Sequence, residues 1–104
     1  MTFTAYILIP TVGNDGVAFS AAHVAVWDDF LLASFGGFSR LPETVRGAWI
    51  DAGVRYDDNT VVYGIALSSI AQGGDFVAAA QFAALHFEQL AIFITYLGVV
   101  EIIE

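Results

Sequence analysis

A chain of 104 residues is long enough for one two-layer core and too short for two, so residues 1–104 read as a single domain. Eleven Asp and Glu face three arginines and no lysine, a formal charge of -8 that repels phosphate backbones and excludes a nucleic-acid partner. The absence of cysteine excludes disulfides, thiolate nucleophiles and cysteine-based metal centres and fits a cytoplasmic setting.

Hydrophobic residues make up 58% of the chain and mean hydropathy is +0.72, more apolar material than one small monomeric core hides. The excess predicts a homo-oligomer, a dimer or higher. A membrane is not the outlet: the uncharged block at 90–100 is about half of the ~20 residues a spanning helix requires. The first ten residues lack a basic region and alternate like a strand, which argues against a signal peptide.

Residues 2–9 place Phe3, Ala5, Ile7 and Ile9 on one face and Thr4, Tyr6 and Leu8 on the other, the period of two that a strand imposes. Pro10 ends ladder donation, and Asn14-Asp15-Gly16 signals a turn. From Ser20, an N-cap residue, to Phe35 the spacing of Val24, Trp27, Leu31 and Phe35 predicts a helix, with Phe19, Val26 and Phe30 widening its apolar stripe. Gly36 and Gly37 close it. A second strand runs into Ala48, Trp49 and Ile50, residues 51–53 turn, Asp57-Asp58-Asn59 form a polar connection, and a third strand covers Thr60–Leu67.

After a loop at Gln72-Gly73-Gly74, Asp75 opens a second helix that runs to about Leu90 on an arc of Phe76, Ala80, Ala83, Phe87 and Leu90, leaving Phe82 and Leu85 for a second contact surface. Residues 92–103 read as one long strand with Gly98 as a bulge position and Glu101 and Glu104 guarding its end. The order β-α-β-β-α-β is that of a ferredoxin-like α+β plait, a four-stranded antiparallel sheet in the order 4-1-3-2 with two helices on one face. The other face, with Tyr6, Leu8, Tyr63 and Tyr96, is too apolar to leave wet. Pairing two sheets face to face, as in dimeric α+β barrels, or joining them through the last strand would bury it.

The segments ILIPT, NDG, FGGFSR, GAW, the pair Tyr56 and Asp58, VVYGIA and YLGVVEII together resemble a family of small bacterial and phage-type proteins with an FGGF(S/T), GAW and Y-x-D pattern. The resemblance spans most of the chain. It implies a compact cytoplasmic α+β domain and carries over no activity, cofactor or catalytic residue.

The candidate ligand-binding residues are His23, Arg40, Trp49 and Tyr56, each with a plain packing role as its rival. His23 lies five and six positions before Asp28 and Asp29, neither of which stacks on it along a helix, so a core or interface imidazole is the simpler reading. His86 has no H-E-x-x-H partner and reads as a partly exposed structural residue. Arg40, a scarce cation beside two glycines, is suited to a carboxylate or phosphate, or to an ion pair within the chain. Trp49, Tyr56 and Tyr63 suit an aromatic pocket or ordinary packing. Asp51, Asp57, Asp58 and Asn59 lack the alternation of a calcium loop and read as a solvated turn. No GxSxG, Walker A or GxGxxG is present, so no catalytic residue, metal or cofactor is assigned. Two functions fit: an acidic oligomeric accessory or interaction protein without catalysis, working with an unidentified protein partner, and a small-molecule-binding protein or enzyme of the dimeric α+β barrel type.

Overall fold

Period-two alternation on strands and a 3.6-residue period on two helices leave each element one apolar face, and these faces meet. The computed structural model describes residues 3–96 and 99–103. In chain order the elements are β1 (Phe3–Pro10), α1 (Ala21–Phe35), β2 (Ser39–Asp51), β3 (Val54–Leu67), α2 (Gly73–His86), β4 (Ile92–Tyr96) and β5 (Val99–Ile103). The strands form one antiparallel sheet in the order β2-β3-β1-β4-β5. The first four in that list are the expected plait, with both helices on one face.

The fifth strand corrects the reading of 92–103 as one strand. β4 and β5 fold back on each other with Tyr96 opposite Val99. β1, the neighbour of β4, has only eight residues, so a strand through 103 would outrun it and expose a long unpaired edge. Gly98, Glu104 and the side chains of Tyr96 and Glu101 lie outside the described residues.

The core sits between sheet and helices: Ala5, Ile7 and Ile9 from β1, Tyr63, Ile65 and Leu67 from β3, Ile92 and Ile94 from β4, Trp27 and Leu31 from α1, and Phe76, Ala79, Ala80, Ala83 and Phe87 from α2. Register explains the selection. Ile7 lies opposite both Tyr63 and Ile94, so the three point the same way. Tyr63 therefore belongs to the helix-covered face, which corrects its expected place on the bare face. Tyr6, with Gly64 opposite, does face away from the helices, and a side chain added at Gly64 would come within 3.3 Å of its ring.

The helix ends follow their residues. The Ser20 hydroxyl accepts the His23 N–H, and Gly36 at φ 81° donates its own N–H to the Leu32 carbonyl. α2 stops at His86, short of Leu90, because Glu88 takes a left-handed φ of 53° and the Gln89 N–H turns back to the Ala84 carbonyl. Leu90 and Leu85 are consequently exposed, while Phe82 packs against the core.

β2 and β3 are longer than expected. Asp57, Asp58 and Asn59 are strand residues opposite Ala48, Gly47 and Arg46, not a connection. One face of this outer ribbon is exposed and the other, with Trp49, Tyr56 and Asp58, is only half-buried, so polar residues are tolerated there and the apolar pattern that marks a buried strand is missing. Pro42 lies in the register shift between Arg40 and Thr44, where a missing N–H costs the ladder nothing. The hairpin turns through Ala52 at φ 50° and Gly53 at φ 78°, the left-handed pair of a type I′ turn. Alanine is strained in that conformation by ~1 kcal/mol. Ala52→Asn, which restores the favoured Asn-Gly pair, is expected to raise the melting temperature by about 3–6 °C in a thermal unfolding scan.

Candidate functional site

On the helix-free side of the sheet, even-numbered β3 residues and their partners line up. Trp49 lies opposite Tyr56, Gly47 opposite Asp58, Val45 opposite Thr60, and Thr60 opposite Pro10. The Trp49 and Tyr56 rings stack at 4.7 Å between centroids and 22° between planes. The Trp49 indole N–H donates to Asp58 Oδ2 at 2.8 Å, which fixes the indole and occupies one lone pair of a half-buried carboxylate. Val45, Trp49, Asp58 and Thr60, with Leu8, Gln89 and Phe93, border a hollow of about 310 Å³ between the hairpin and the ends of β1 and β4, and Tyr56 backs the indole from outside its lining. Its walls are mainly apolar, with Asp58, Thr60 and Gln89 as polar points, the composition of a small-ligand site.

The four candidate residues do not converge on one site. Trp49 lines the hollow, and Tyr56 stacks on it without lining the hollow itself. Arg40 lies opposite Tyr63 on the helix-covered side, with its guanidinium carbon 5.7 Å from the tyrosine ring centroid. Strand alternation separates them, since the register that turns Tyr63 inward turns Tyr56 outward. His23 is at the far end of the helix layer, stacked on His86 with ring centroids 3.8 Å apart and planes within 6°. Each Nε2–H donates to the other residue's backbone carbonyl, at 2.7 and 2.8 Å, which sets both tautomers and ties the first turn of α1 to the last of α2. Phe19 stacks on His23, and Phe82 on His86.

Asp28, five positions on from His23 and off its face, is half-buried and accepts the Tyr63 hydroxyl at 2.8 Å. Burial and the Asp28 carboxylate both push the Tyr63 phenol well above the ordinary tyrosine range, against a smaller opposing pull from Arg40. Asp58 and Thr60 are the site residues that sequence reasoning passed over. The signal that could have found Asp58 is its even spacing from Tyr56 on one strand face, hidden as long as 57–59 read as a loop. Among the described residues, no cluster of three or more His, Asp or Glu is arranged to hold a metal ion. No helix among them is long and apolar enough to cross a membrane.

No protein-family model matches the chain, and no curated protein matches it in sequence. Solved structures do. A phage SAM lyase in complex with S-methyl-5'-thioadenosine is similar at 19% identity and a TM-score of 0.69, over 97% of this chain and 86% of that one. The apo state of a phage SAM lyase is similar at 20% identity and a TM-score of 0.65, over 95% and 83% of the two chains. The divalent cation tolerance protein CutA1 of Thermus thermophilus is similar at 11% identity and a TM-score of 0.52, over 99% and 81%. At these identities the likeness establishes a shared ferredoxin-like fold.

Proposed function

We propose that this chain is a homo-oligomeric small-molecule-binding protein whose ligand is a sulfur-bearing nucleoside of the S-adenosylmethionine type, held in the hollow on the open sheet face, and that it cleaves that ligand. The observation that carries the reading is the hydrogen-bonded Trp49–Asp58 pair on the wall of a mainly apolar hollow, its indole braced by the Tyr56 ring. A sulfonium is a soft cation, attracted to aromatic faces and to a carboxylate. The fold shared with a lyase seen with S-methyl-5'-thioadenosine supports the choice of ligand.

The chemistry asks little of the protein's acids and bases. When the bond from sulfur to the four-carbon chain breaks, its electron pair stays on sulfur and a neutral thioether leaves without needing a proton. As that bond breaks, the fragment's own carboxylate closes a carbon–oxygen bond to the same carbon, so the carboxylate supplies the new electron pair and no proton is transferred. The positive charge on sulfur disappears on the way to the transition state, so replacing water by apolar walls favours the reaction. Leu8, Val45 and Phe93 supply such walls. A hollow of about 310 Å³ is at the small end of the range for ligand pockets, and a second copy laid against the exposed Tyr6 and Phe93, each 40% accessible, would deepen it.

The test is calorimetric titration of S-methyl-5'-thioadenosine and of S-adenosylmethionine, with chromatography of the second mixture for released thioether nucleoside. Binding in the micromolar range, weakened at least about tenfold by Trp49→Ala and by Asp58→Ala, is the expected result. No heat with either compound at millimolar concentration would end the ligand assignment and leave the accessory reading, in which the assembled acidic surface does the work.

A further inference from the structure

Beyond Asn59, whose carbonyl accepts from both the Thr11 N–H and the Thr11 hydroxyl at 3.0 Å, the outer half of the β2–β3 hairpin pairs with no third strand among the described residues. β1 flanks β3 only over Thr60–Leu67, yet β2 and β3 continue paired from Val45 opposite Thr60 to Asp51 opposite Val54. At ~3.3 Å per residue this ribbon extends about 20 Å past the sheet. Two strands alone are marginal in water. Residues 44–48 and 50–55 are all exposed, Ile50 to 72%.

Its two sides differ. Trp49 and Asp58 line the hollow with Tyr56 on the same side; Arg46, Ile50, Arg55 and Asp57 share the opposite side, with Ile50 directly across from Arg55. Arg46 makes no ion pair with any described residue, and Arg55 meets only the exposed Asp57 at 3.1 Å, a contact worth little. Charge is divided along the chain in the same way. The hairpin, residues 39–67, holds all three arginines against four acids, whereas the remaining residues hold seven acids and neither arginine nor lysine. The arginines are thus confined to the hairpin, two of them against one acid, Asp57, on the side away from the hollow, and the body of another copy, with acids and no arginine or lysine, attracts that side.

On that body the outer face of α1 fits best. Val26 and Leu32, each about half exposed, lie one turn either side of the exposed Asp29, and Ala22 continues the stripe. It offers apolar contact to Ile50 and a carboxylate to Arg46.

We propose that the end of the hairpin is an intersubunit arm, its Arg46–Ile50–Arg55 side docking on the Val26–Asp29–Leu32 face of α1 in a second copy. The contact joins two different patches, so it is heterologous and propagates until a ring closes. It is independent of the ligand assignment and is tested without ligand.

The chain has no cysteine, which makes disulfide trapping clean. Two single-cysteine variants at exposed positions, Ile50→Cys and Val26→Cys, are mixed in equal amounts, oxidised, and resolved by denaturing electrophoresis with mass spectrometry of the bands. The expected product is the mixed Ile50→Cys/Val26→Cys disulfide in at least about fivefold excess over either like pair. Adding Arg46→Glu to the Ile50→Cys chain should reduce it at least about fivefold. Like pairs equal to the mixed product, no covalent pairs at all, or a yield indifferent to Arg46→Glu would each overturn the proposal. A calorimetric failure with both nucleosides leaves this result untouched, so the two readings fall separately.

Discussion

Replacing Trp27 with alanine is expected to destabilise the protein by about 3–5 kcal/mol, whereas Trp27→Phe is expected to lose less than half as much. Trp27 is fully buried and touches rings on three sides: Phe30 at 6.0 Å, Phe82 at 6.2 Å, and Tyr63 edge-on at 6.1 Å. Alanine leaves a hole that no neighbour can fill, since Phe30 and Phe82 are already stacked on each other at 4.2 Å. Phenylalanine keeps most of the volume and also removes the indole N–H, a buried donor that has no acceptor within hydrogen-bonding distance. An unsatisfied donor costs about 1–3 kcal/mol, so its loss offsets part of the cavity. Urea unfolding of both variants measures the difference. Equal losses for alanine and phenylalanine would show that the indole N–H is not orphaned in solution.

Tyr63→Phe is the second large effect, expected at about 1–3 kcal/mol near neutral pH, because it leaves the half-buried Asp28 carboxylate without its donor. The double variant Tyr63→Phe with Asp28→Ala should recover part of that loss, as removing both partners of a buried bond is milder than removing one. The wild type carries a linked alkaline signature. A tyrosine in the unfolded chain ionises near pH 10, while the folded Tyr63 phenol, desolvated and beside a carboxylate, holds its proton to higher pH. Its contribution is therefore complete below about pH 10 and falls above it, with a slope near 1.4 kcal/mol per pH unit as the unfolded state alone releases the proton. Denaturant midpoints from pH 9 to 12 should show a steeper alkaline decline in the wild type than in Tyr63→Phe. Parallel curves would sink the assignment.

These expectations draw on features of different legibility. α1 was readable from Ser20 to Gly36 because cap and terminator are local and sit where the structure has them; of its stripe Trp27 and Leu31 are buried, while Val26, counted in it, is half exposed on the outer face. The alternation of β1 was equally plain, with Ala5, Ile7 and Ile9 inward and Tyr6 outward. The hairpin was not, because an outlying ribbon has one exposed face and one only half-buried and polar face, too little to impose an apolar pattern, and Asp57-Asp58-Asn59 looked like a loop until cross-strand pairing placed them. The split at the end of the chain was hidden for a related reason. Residues 92–103 suit a strand throughout, and only the short length of the neighbouring β1 makes folding back the better pairing.

The candidate site divides along the same line. Trp49 and Tyr56 were identifiable as aromatics near one another in sequence, but Asp58 joined them only through the diagonal of a strand pair. Arg40 and His23 were picked for chemical type, and no local rule could say that one lies over Tyr63 and the other against His86, 63 residues away. By itself the sequence determined the class of fold, the faces of its helices and first strand, its acidity, and the surplus of apolar surface, because these depend on neighbours within a turn or two. Tertiary structure alone decided which aromatic met which carboxylate, that the two histidines clasp, and that the hairpin outruns the sheet. Those outcomes depend on register between distant strands, where a shift of one residue exchanges the two faces.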